Sequence, residues 1–298
     1  YHAVVANDLD TLPAARLAAW LRRKTLFFDA HEYFTQVPEL VGRPHVQRVW
    51  KWIETVCLKG VRTMYTVSPP IRELYAARFP AMHVGLVRNL PLRKQAPGLQ
   101  EKEAAKKWLA GFAPGPFIIY QGALNKARGL RLLLQALQWD KSLKLLLVGH
   151  GDEREELMEY AGSLGLGRRV IFTGPVPFAQ LHAITCQAAV GVSLEEDVGL
   201  NYRYALPNKL FDYVQAQIPV LVSDLPAMRG VVENYGVGEV LARRSPESIS
   251  QQLQALIRRH SQDKALRRAL KEAAQVLVWE REEQVLLDLF EINLNKKK

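Results

Sequence analysis

Residues 206–224 read LPNKLFDYVQAQIPVLVSD, and the rest of the chain is best read outward from them. Leu206, Leu210, Tyr213 and Val214 recur at helical spacing and form one apolar face. Pro207 stands where the helix begins, a place where its missing N–H costs nothing. Ile218-Pro219 stops the helix, and PVLVSD reads as a short buried strand. The segment is helix, tight turn, strand. Asn208, Lys209 and Asp212 fall together on a second face, because residues three and four apart are neighbours on a helix. Lys209 is the unexpected member. It lies in the first turn, where the macrodipole disfavours a cation and free N–H groups attract anions. A phosphate seated between the two reconciles them. Asp212, one turn on, can accept two hydrogen bonds from a vicinal diol such as a ribose. Phosphate at the helix start and a diol one turn in describe a nucleotide. Taken alone, the same residues are equally well a surface lysine and aspartate on an ordinary helix.

Upstream, strand and helix alternate. Strands are expected at 2–6, 25–29, 62–67 and 83–87, and helices at 11–22, 44–59 and 69–78, the βαβ rhythm of a parallel sheet. Residues 89–97, rich in Pro, Arg and Lys, read as a linker, and 101–110 as a short helix. A second series then places strands at 117–121, 143–148, 170–173, 188–193, 220–223 and 237–241. Helices are expected among them at 129–137, 152–164, 178–187 and 207–216. Six strands with crossover helices make a doubly wound α/β domain, whose ligands bind at the carboxyl ends of the strands. From 246 onward the pattern is almost all helical, with an acidic, aromatic patch at 279–290 and a solvated tail, NKKK. The expected organisation is a partial Rossmann-like domain at 1–95, a second at 96–276 and a closing helix at 277–298. The chain opens at Tyr1 directly as a strand, so upstream sequence is expected.

The 298 residues carry a net charge of +10, with 48% hydrophobic and 23% charged residues, an ordinary globular balance. Such a charge favours anionic substrates, acidic membrane surfaces or nucleic acid without choosing among them. No nucleic-acid recognition motif is present, and no apolar run has the length to span a bilayer. Two distant cysteines, Cys57 and Cys186, form no disulfide framework or metal cluster, which points to a reducing cytoplasm.

The strand ends hold the other candidates. YQGALNKARGL follows the first strand of the second series. Gly122 and Gly129 let backbone N–H groups approach an anion, and Arg128, with Asn125 and Lys126 nearby, can fork onto phosphate oxygens. A plain turn with exposed cations fits that loop equally well. In VGHGDE, Gly149 and Gly151 flank His150 at another strand end, and Asp152 reads as an N-cap. SLEEDVGLNYRYALPNK is long for a βα loop, as functional loops often are. It offers Glu195, Glu196, Asn201, Tyr202 and Arg203. In the first series, FFDAHEYF places His31 and Glu32 after a strand ending at Asp29. His31 is suited to hydrogen-bond a sugar or polarise a leaving group, or simply to partner Asp29 or Glu32. VQRVWKWIETVCLKG is a basic, aromatic, amphipathic helix. It suits an acidic membrane surface, or a core-packing role with snorkelling Arg and Lys.

Together these residues resemble glycosyltransferase family 4, retaining nucleotide-sugar enzymes of GT-B fold. The family's phosphate loop, Gly-Arg-Leu-x-x-x-Lys-Gly, is matched in spacing by Gly122-Ala123-Leu124-Asn125-Lys126-Ala127-Arg128-Gly129, with Arg128 for the lysine and Ala123 for the arginine. Of the family's two glutamates, eight positions apart, the second maps to Asp212. The first maps to Tyr204, so that acid is absent or displaced to Glu195 or Glu196. LPNKLFDY looks like a subgroup in which Pro-x-Lys precedes the second acid, and DAHEYF looks like the family's strand-end histidine.

The resemblance implies two Rossmann-like domains facing a cleft, the first incomplete here. It also implies transfer of a hexose, with retention and without a metal or other cofactor, from a UDP- or GDP-sugar to a glycan or lipid-linked acceptor. Cell-envelope polysaccharide synthesis is the expected setting, and His31 with Glu32 the expected catalytic pair. Gly122, Asn125, Lys126, Arg128, Gly129, Gly149, Glu196, Asn208, Lys209 and Asp212 would bind the donor. Two rivals stay open: a GT-B nucleotide-sugar epimerase, and a non-catalytic nucleotide-sugar-binding module.

Overall fold

The computed structural model describes residues 2–37, 39–40, 42–112 and 115–294, with the side chains of 292–294 excepted; the 295–298 tail expected to be solvated lies outside them. The strands are β1 Ala3–Asn7, β2 Thr25–Ala30, β3 Thr63–Thr66, β4 His83–Leu86, β5 Ile118–Gln121, β6 Leu145–Val148, β7 Val170–Gly174, β8 Val190–Ser193, β9 Val220–Val222 and β10 Gly238–Val240. The first helices are α1 Asp8–Leu21, α2 Pro44–Leu58, α3 Pro69–Arg78, α4 Leu99–Lys106, α5 Leu130–Trp139, α6 Arg154–Ser163 and α7 Phe178–Thr185. They are followed by α8 Leu200–Tyr204, α9 Asn208–Gln215, α10 Pro226–Tyr235, α11 Pro246–Gln262, α12 Lys264–Val276 and α13 Trp279–Leu294.

These elements form two compact units. The first draws on Tyr1–Leu90, Asp197–Leu206 and Trp279–Lys298, and the second on Pro91–Glu196 and Pro207–Val278. The sequence placed 197–206 with the second domain; the structure counts this stretch, which includes α8, with the first.

The first unit has a four-stranded parallel sheet in the order β1-β2-β3-β4. Strands added in one direction through right-handed crossovers place their helices on one face. There Leu9 and Leu12 of α1, Leu58 of α2, and Ile71 and Tyr75 of α3 bury against Ala6, Phe28, Ala30 and Met64. The opposite face receives α13. Phe290 meets the Phe27 ring edge-on at 4.5 Å, and Leu289 packs with Tyr65 and Val87. Glu282, on the same helix, accepts from the backbone N–H of Arg88 (2.8 Å) and its Nε (3.0 Å).

The second unit has a six-stranded sheet, β10-β9-β8-β5-β6-β7, with the paired strands parallel. This is the doubly wound order, and its direction reverses between β5 and β8. Alternate residues of the strands face one layer: Ile118, Tyr120, Leu145, Leu147, Val190 and Val192 bury against leucines of α5 and α11. On the other face lies α9, with Leu210, Phe211, Tyr213 and Val214 fully buried. The Tyr213 hydroxyl accepts from the Gln121 N–H (3.1 Å) and donates to the Val192 carbonyl (3.2 Å), tying α9 to both strands at the reversal.

Two sequence expectations are corrected. Helix α10 was not foreseen, because Gly230 and paired valines weaken its propensity; Pro226 in the first turn and Gly236 at its end, φ +63°, were the available signals. Asp152 does not cap α6, which begins at Arg154 with Glu153 at the N-cap and no side-chain cap.

The carboxyl ends of β5 and β6 are tightly apposed. Gly149 has φ +135°, and a Cβ there would lie 2.0 Å from the Gly122 carbonyl oxygen. Gly149→Ala is expected to lower the unfolding free energy by about 3 kcal/mol, combining backbone strain with overlap. Urea unfolding reads this directly, and an unchanged midpoint would show that the two loops separate freely.

Candidate active site

The carboxyl ends of β5 and β8 flank the point where strand order reverses, the place at which open α/β sheets bind ligands. The Gly122–Gly129 loop leaves β5, and Leu194 and Glu195 leave β8. Pro207 occupies the N-cap of α9 in extended conformation, so Lys209 is the second helical residue. From there its ammonium reaches back. Nζ lies 2.7 Å from Glu195 Oε1 and 4.3 Å from the centre of the Tyr120 ring. Arg128 Nη1 approaches the same Glu195 oxygen at 3.7 Å. Glu195 is only 1% exposed, and its second oxygen accepts from the Ser193 hydroxyl at 2.7 Å.

Burial raises the cost of ionising Glu195, but the Lys209 ammonium and the Ser193 hydroxyl outweigh it and hold the carboxyl below its usual range. The glycines set the spacing. Gly129 has φ +70°, and a Cβ there would collide with the Leu194 carbonyl oxygen at 2.2 Å. Gly122 lies against Lys209, whose Cε would be 3.4 Å from an added Cβ. An added Cβ at Gly122 would thus touch the lysine stem.

One turn along α9, Asp212 accepts from Lys94 Nζ (2.8 Å) and Gln121 Nε2 (3.0 Å). An ionised carboxylate has about four acceptor positions, so two remain for a diol. Thr185 in turn holds Gln121 (2.9 Å), and Lys94 also faces the Phe178 ring at 5.0 Å.

The structure sorts the expected donor residues. Gly122, Arg128, Gly129, Gly149, Lys209 and Asp212 come together at the ends of β5, β6 and β8. Asn125 is used internally, accepting from the Asp152 N–H at 3.1 Å. Lys126 and Asn208 are exposed. The displaced acid was left between Glu195 and Glu196, with Glu196 among the expected donor residues; Glu195 is the one that meets Lys209 and Arg128. Side chains alternate along an extended chain, so Glu195 shares the side of Ser193, whereas Glu196 pairs with Arg244 (3.3 Å). Arg244 also donates to the carbonyls of Leu194 (2.9 Å) and Glu195 (3.2 Å) and to the Ser223 hydroxyl (3.0 Å), bracing the end of β8. Sequence reading passed over Arg244 and Lys94, since neither lies in a recognisable pattern.

In the first unit, His31 Nε2 bonds Asp29 Oδ2 at 2.9 Å, and Nδ1 lies 3.2 Å from Asn89 Nδ2. The Asp29 carboxylate raises the His31 pKa above its ordinary value, against the opposing effect of burial. Asp8 was also missed. Its Oδ1 accepts the backbone N–H of His31 (2.9 Å) and of Glu32 (3.3 Å), holding the strand-end turn from a left-handed conformation, φ +59°. Asp is among the few residue types that tolerate that conformation. Glu32 is exposed. Asn201 is mostly buried and accepts from the Tyr33 N–H (2.9 Å), Tyr204 packs on the core of α1–α3, and Arg203 pairs with Asp197 (2.6 Å). Asn201 and Arg203, which sequence reading had offered to a ligand, are thus engaged within the first unit.

Two α/β units, each built on a parallel sheet, make a GT-B-like fold, and the comparisons with known proteins agree. Residues 102–276, more than half of the chain, match glycosyl transferases group 1, and the chain belongs to that family. The lipopolysaccharide core biosynthesis glycosyltransferase LpsD of Rhizobium meliloti is 27% identical over 159 residues, 53% of this chain and 42% of that protein. The phosphatidyl-myo-inositol mannosyltransferase of Mycobacterium leprae is 30% identical over 164 residues, 50% of this chain and 40% of that protein. The matches thus span about two fifths of the length of these curated relatives. Among solved structures, Anabaena HepE in complex with UDP superposes with a TM-score of 0.81 at 16% identity, covering 98% of this chain and 79% of that one.

Glu195→Gln tests how the lysine is held. Removing one partner of a buried pair strands the other, so the variant is expected to lose about 3 kcal/mol of stability at neutral pH. The Glu195 pKa is depressed in the folded state, so its contribution is present above the ordinary value of 4.5 and is lost as pH falls through the lower folded value. The wild-type and variant urea curves should therefore converge in acid. Coincident curves at neutral pH would refute the role given to this pair.

Proposed function

We propose that the chain is a retaining hexosyltransferase of the family 4 type, moving a sugar from a UDP- or GDP-sugar to a hydroxyl of a glycan or lipid-linked acceptor. The observation that carries this reading is the approach of Lys209 and Arg128 to one carboxylate oxygen beside the start of α9. Cations and helix N–H groups so placed suit a diphosphate. The named activities of LpsD and the mannosyltransferase, and the UDP bound in HepE, support a nucleotide sugar as donor and cell-envelope glycan synthesis as the setting. We place the reaction in the cytoplasm. No helix among the described residues is long and apolar enough to cross a membrane.

In this mechanism the bond between the sugar's anomeric carbon and the diphosphate breaks as negative charge grows on the departing oxygen. Fixed positive groups that need no rearrangement stabilise that charge most effectively. Lys209 and Arg128 supply them, so the proposal assigns no step to a metal. Asp212 takes the ribose diol on its remaining acceptor positions. The acceptor hydroxyl attacks from the face the diphosphate leaves, which retains configuration, and its proton passes to the departing phosphate. His31, held by Asp29 and Asn89, orients the transferred sugar.

Lys209→Ala is expected to cost about 2–3 kcal/mol in kcat/KM, a factor of roughly 30 to 150, the scale of a charge-assisted bond. His31→Ala should depress kcat more than donor affinity. Steady-state kinetics with a UDP- or GDP-sugar chosen by thermal shift measures both. A Lys209→Ala enzyme with wild-type kcat/KM would overturn the reading, and so would a nucleotide sugar converted to its epimer without any acceptor.

A further inference from the structure

Arg244 follows β10 and reaches past β9 to β8, three strands that are consecutive in the sheet. Its two terminal nitrogens are shared among several stretches of chain. Nη2 donates to the Leu194 carbonyl (2.9 Å) and lies 3.3 Å from Glu196 Oε1. Nη1 donates to the Glu195 carbonyl (3.2 Å) and to the hydroxyl of Ser223, which follows β9 (3.0 Å). The loop after β5 takes part by making room, since a Cβ on Gly129 would lie 3.0 Å from Nη2. One guanidinium therefore sits among the chain leaving β5, β8, β9 and β10.

This arrangement bears on a choice between two adjacent carboxylates. Side chains alternate along an extended chain, so a shift of one residue at the end of β8 would turn Glu196 inward and Glu195 out. The two acids are chemically identical, and what distinguishes them is how the backbone is held. Arg244 takes the carbonyls of Leu194 and Glu195, while the Glu196 N–H donates to the Ala127 carbonyl in the loop after β5 (2.9 Å). Three consecutive residues are pinned in this way. Arg244 also keeps the Glu196 carboxylate on the outer side, where that side chain is 43% exposed against 1% for Glu195. The planar guanidinium fork suits this task; a lysine ammonium is a point charge on a flexible stem and cannot reproduce it.

We propose that Arg244 is a positioning residue for the diphosphate seat. By clamping the backbone at 194–196 it turns Glu195 inward, and Glu195 then draws the Lys209 ammonium into place beside Arg128. Arg244 acts through Glu195 and makes no contact with the donor. The inference rests on the reading of Lys209 and Arg128 as the groups that receive a diphosphate.

The experiment is calorimetric titration of UDP, GDP and their nucleosides into the full chain and its Arg244 variants. For the base that the wild type binds, Arg244→Ala should hold the diphosphate about tenfold more weakly and the nucleoside, seated at Asp212, as well as before. Arg244→Lys keeps the charge without the fork and should lose nearly as much. In a Glu195→Gln background, Arg244→Ala should cost nothing further, because both substitutions release the same lysine. Wild-type diphosphate affinity in Arg244→Ala, or full recovery in Arg244→Lys, would overturn the clamp. An equal loss for diphosphate and nucleoside would overturn it as well, since that marks general loosening of the sheet end. So would losses that add in the double variant, which would put Arg244 on the diphosphate itself. Equal affinity of diphosphate and nucleoside in the wild type would overturn the underlying reading and the clamp with it, and is seen before any substitution is made.

Discussion

A buried carboxylate determines where the Lys209 ammonium stands. Glu195 is 1% exposed and meets Lys209 at 2.7 Å. Without it, a lysine near the start of a helix would be repelled by the macrodipole and would extend into solvent. With it, the ammonium is drawn back over the Tyr120 ring, beside Arg128 and the Gly122 loop. The interaction is costly to assemble, because two charges must leave water. The Ser193 hydroxyl on the second carboxylate oxygen offsets part of that cost. The pair is more readily explained as a device for placing a charge than as a source of stability.

Every neighbour of this pair is set by sheet topology. The doubly wound order brings the ends of β5 and β8 side by side and directs the chain into loops there. Glycine at 129, and at 149 after the neighbouring β6, allows the loops to approach within distances that a Cβ would forbid. Tyr213 fastens α9 to the strands beneath, and Arg244 braces the exit of β8. In the first unit the same logic recurs, with His31 at the end of β2, fixed through its ring by Asp29 and through its backbone by Asp8. In both units a polar side chain is held at a strand end by a buried or half-buried carboxylate.

Much of this was legible in the sequence. Parallel strands covered on both faces read as unbroken apolar runs, so IIYQ, LLLV and VLV declared themselves, and the helices between them followed from periodicity. The 206–224 stretch disclosed Lys209 and Asp212 because both sit on one short helix. The failures share a cause. Lys94 reaches Asp212 across 118 residues, Arg244 reaches Leu194 across 50, and no local pattern encodes either contact. Choosing Glu195 over Glu196 required the register at which β8 ends, and a single residue there exchanges a buried partner for a surface one. The 197–206 stretch was read as part of the ligand loop because its length is unusual. That stretch is counted with the first unit, where Asn201 is buried and Tyr204 partly buried.

Calorimetric titration of UDP and GDP, each against its own nucleoside, tests the central claim most directly, since it isolates the diphosphate. If the Glu195–Lys209 pair and Arg128 form a diphosphate seat, one of the two diphosphates should bind on the order of a hundredfold more tightly than its nucleoside, as two charge-assisted contacts imply. That advantage should shrink as ionic strength rises. Equal affinity of diphosphate and nucleoside for both bases would contradict the account.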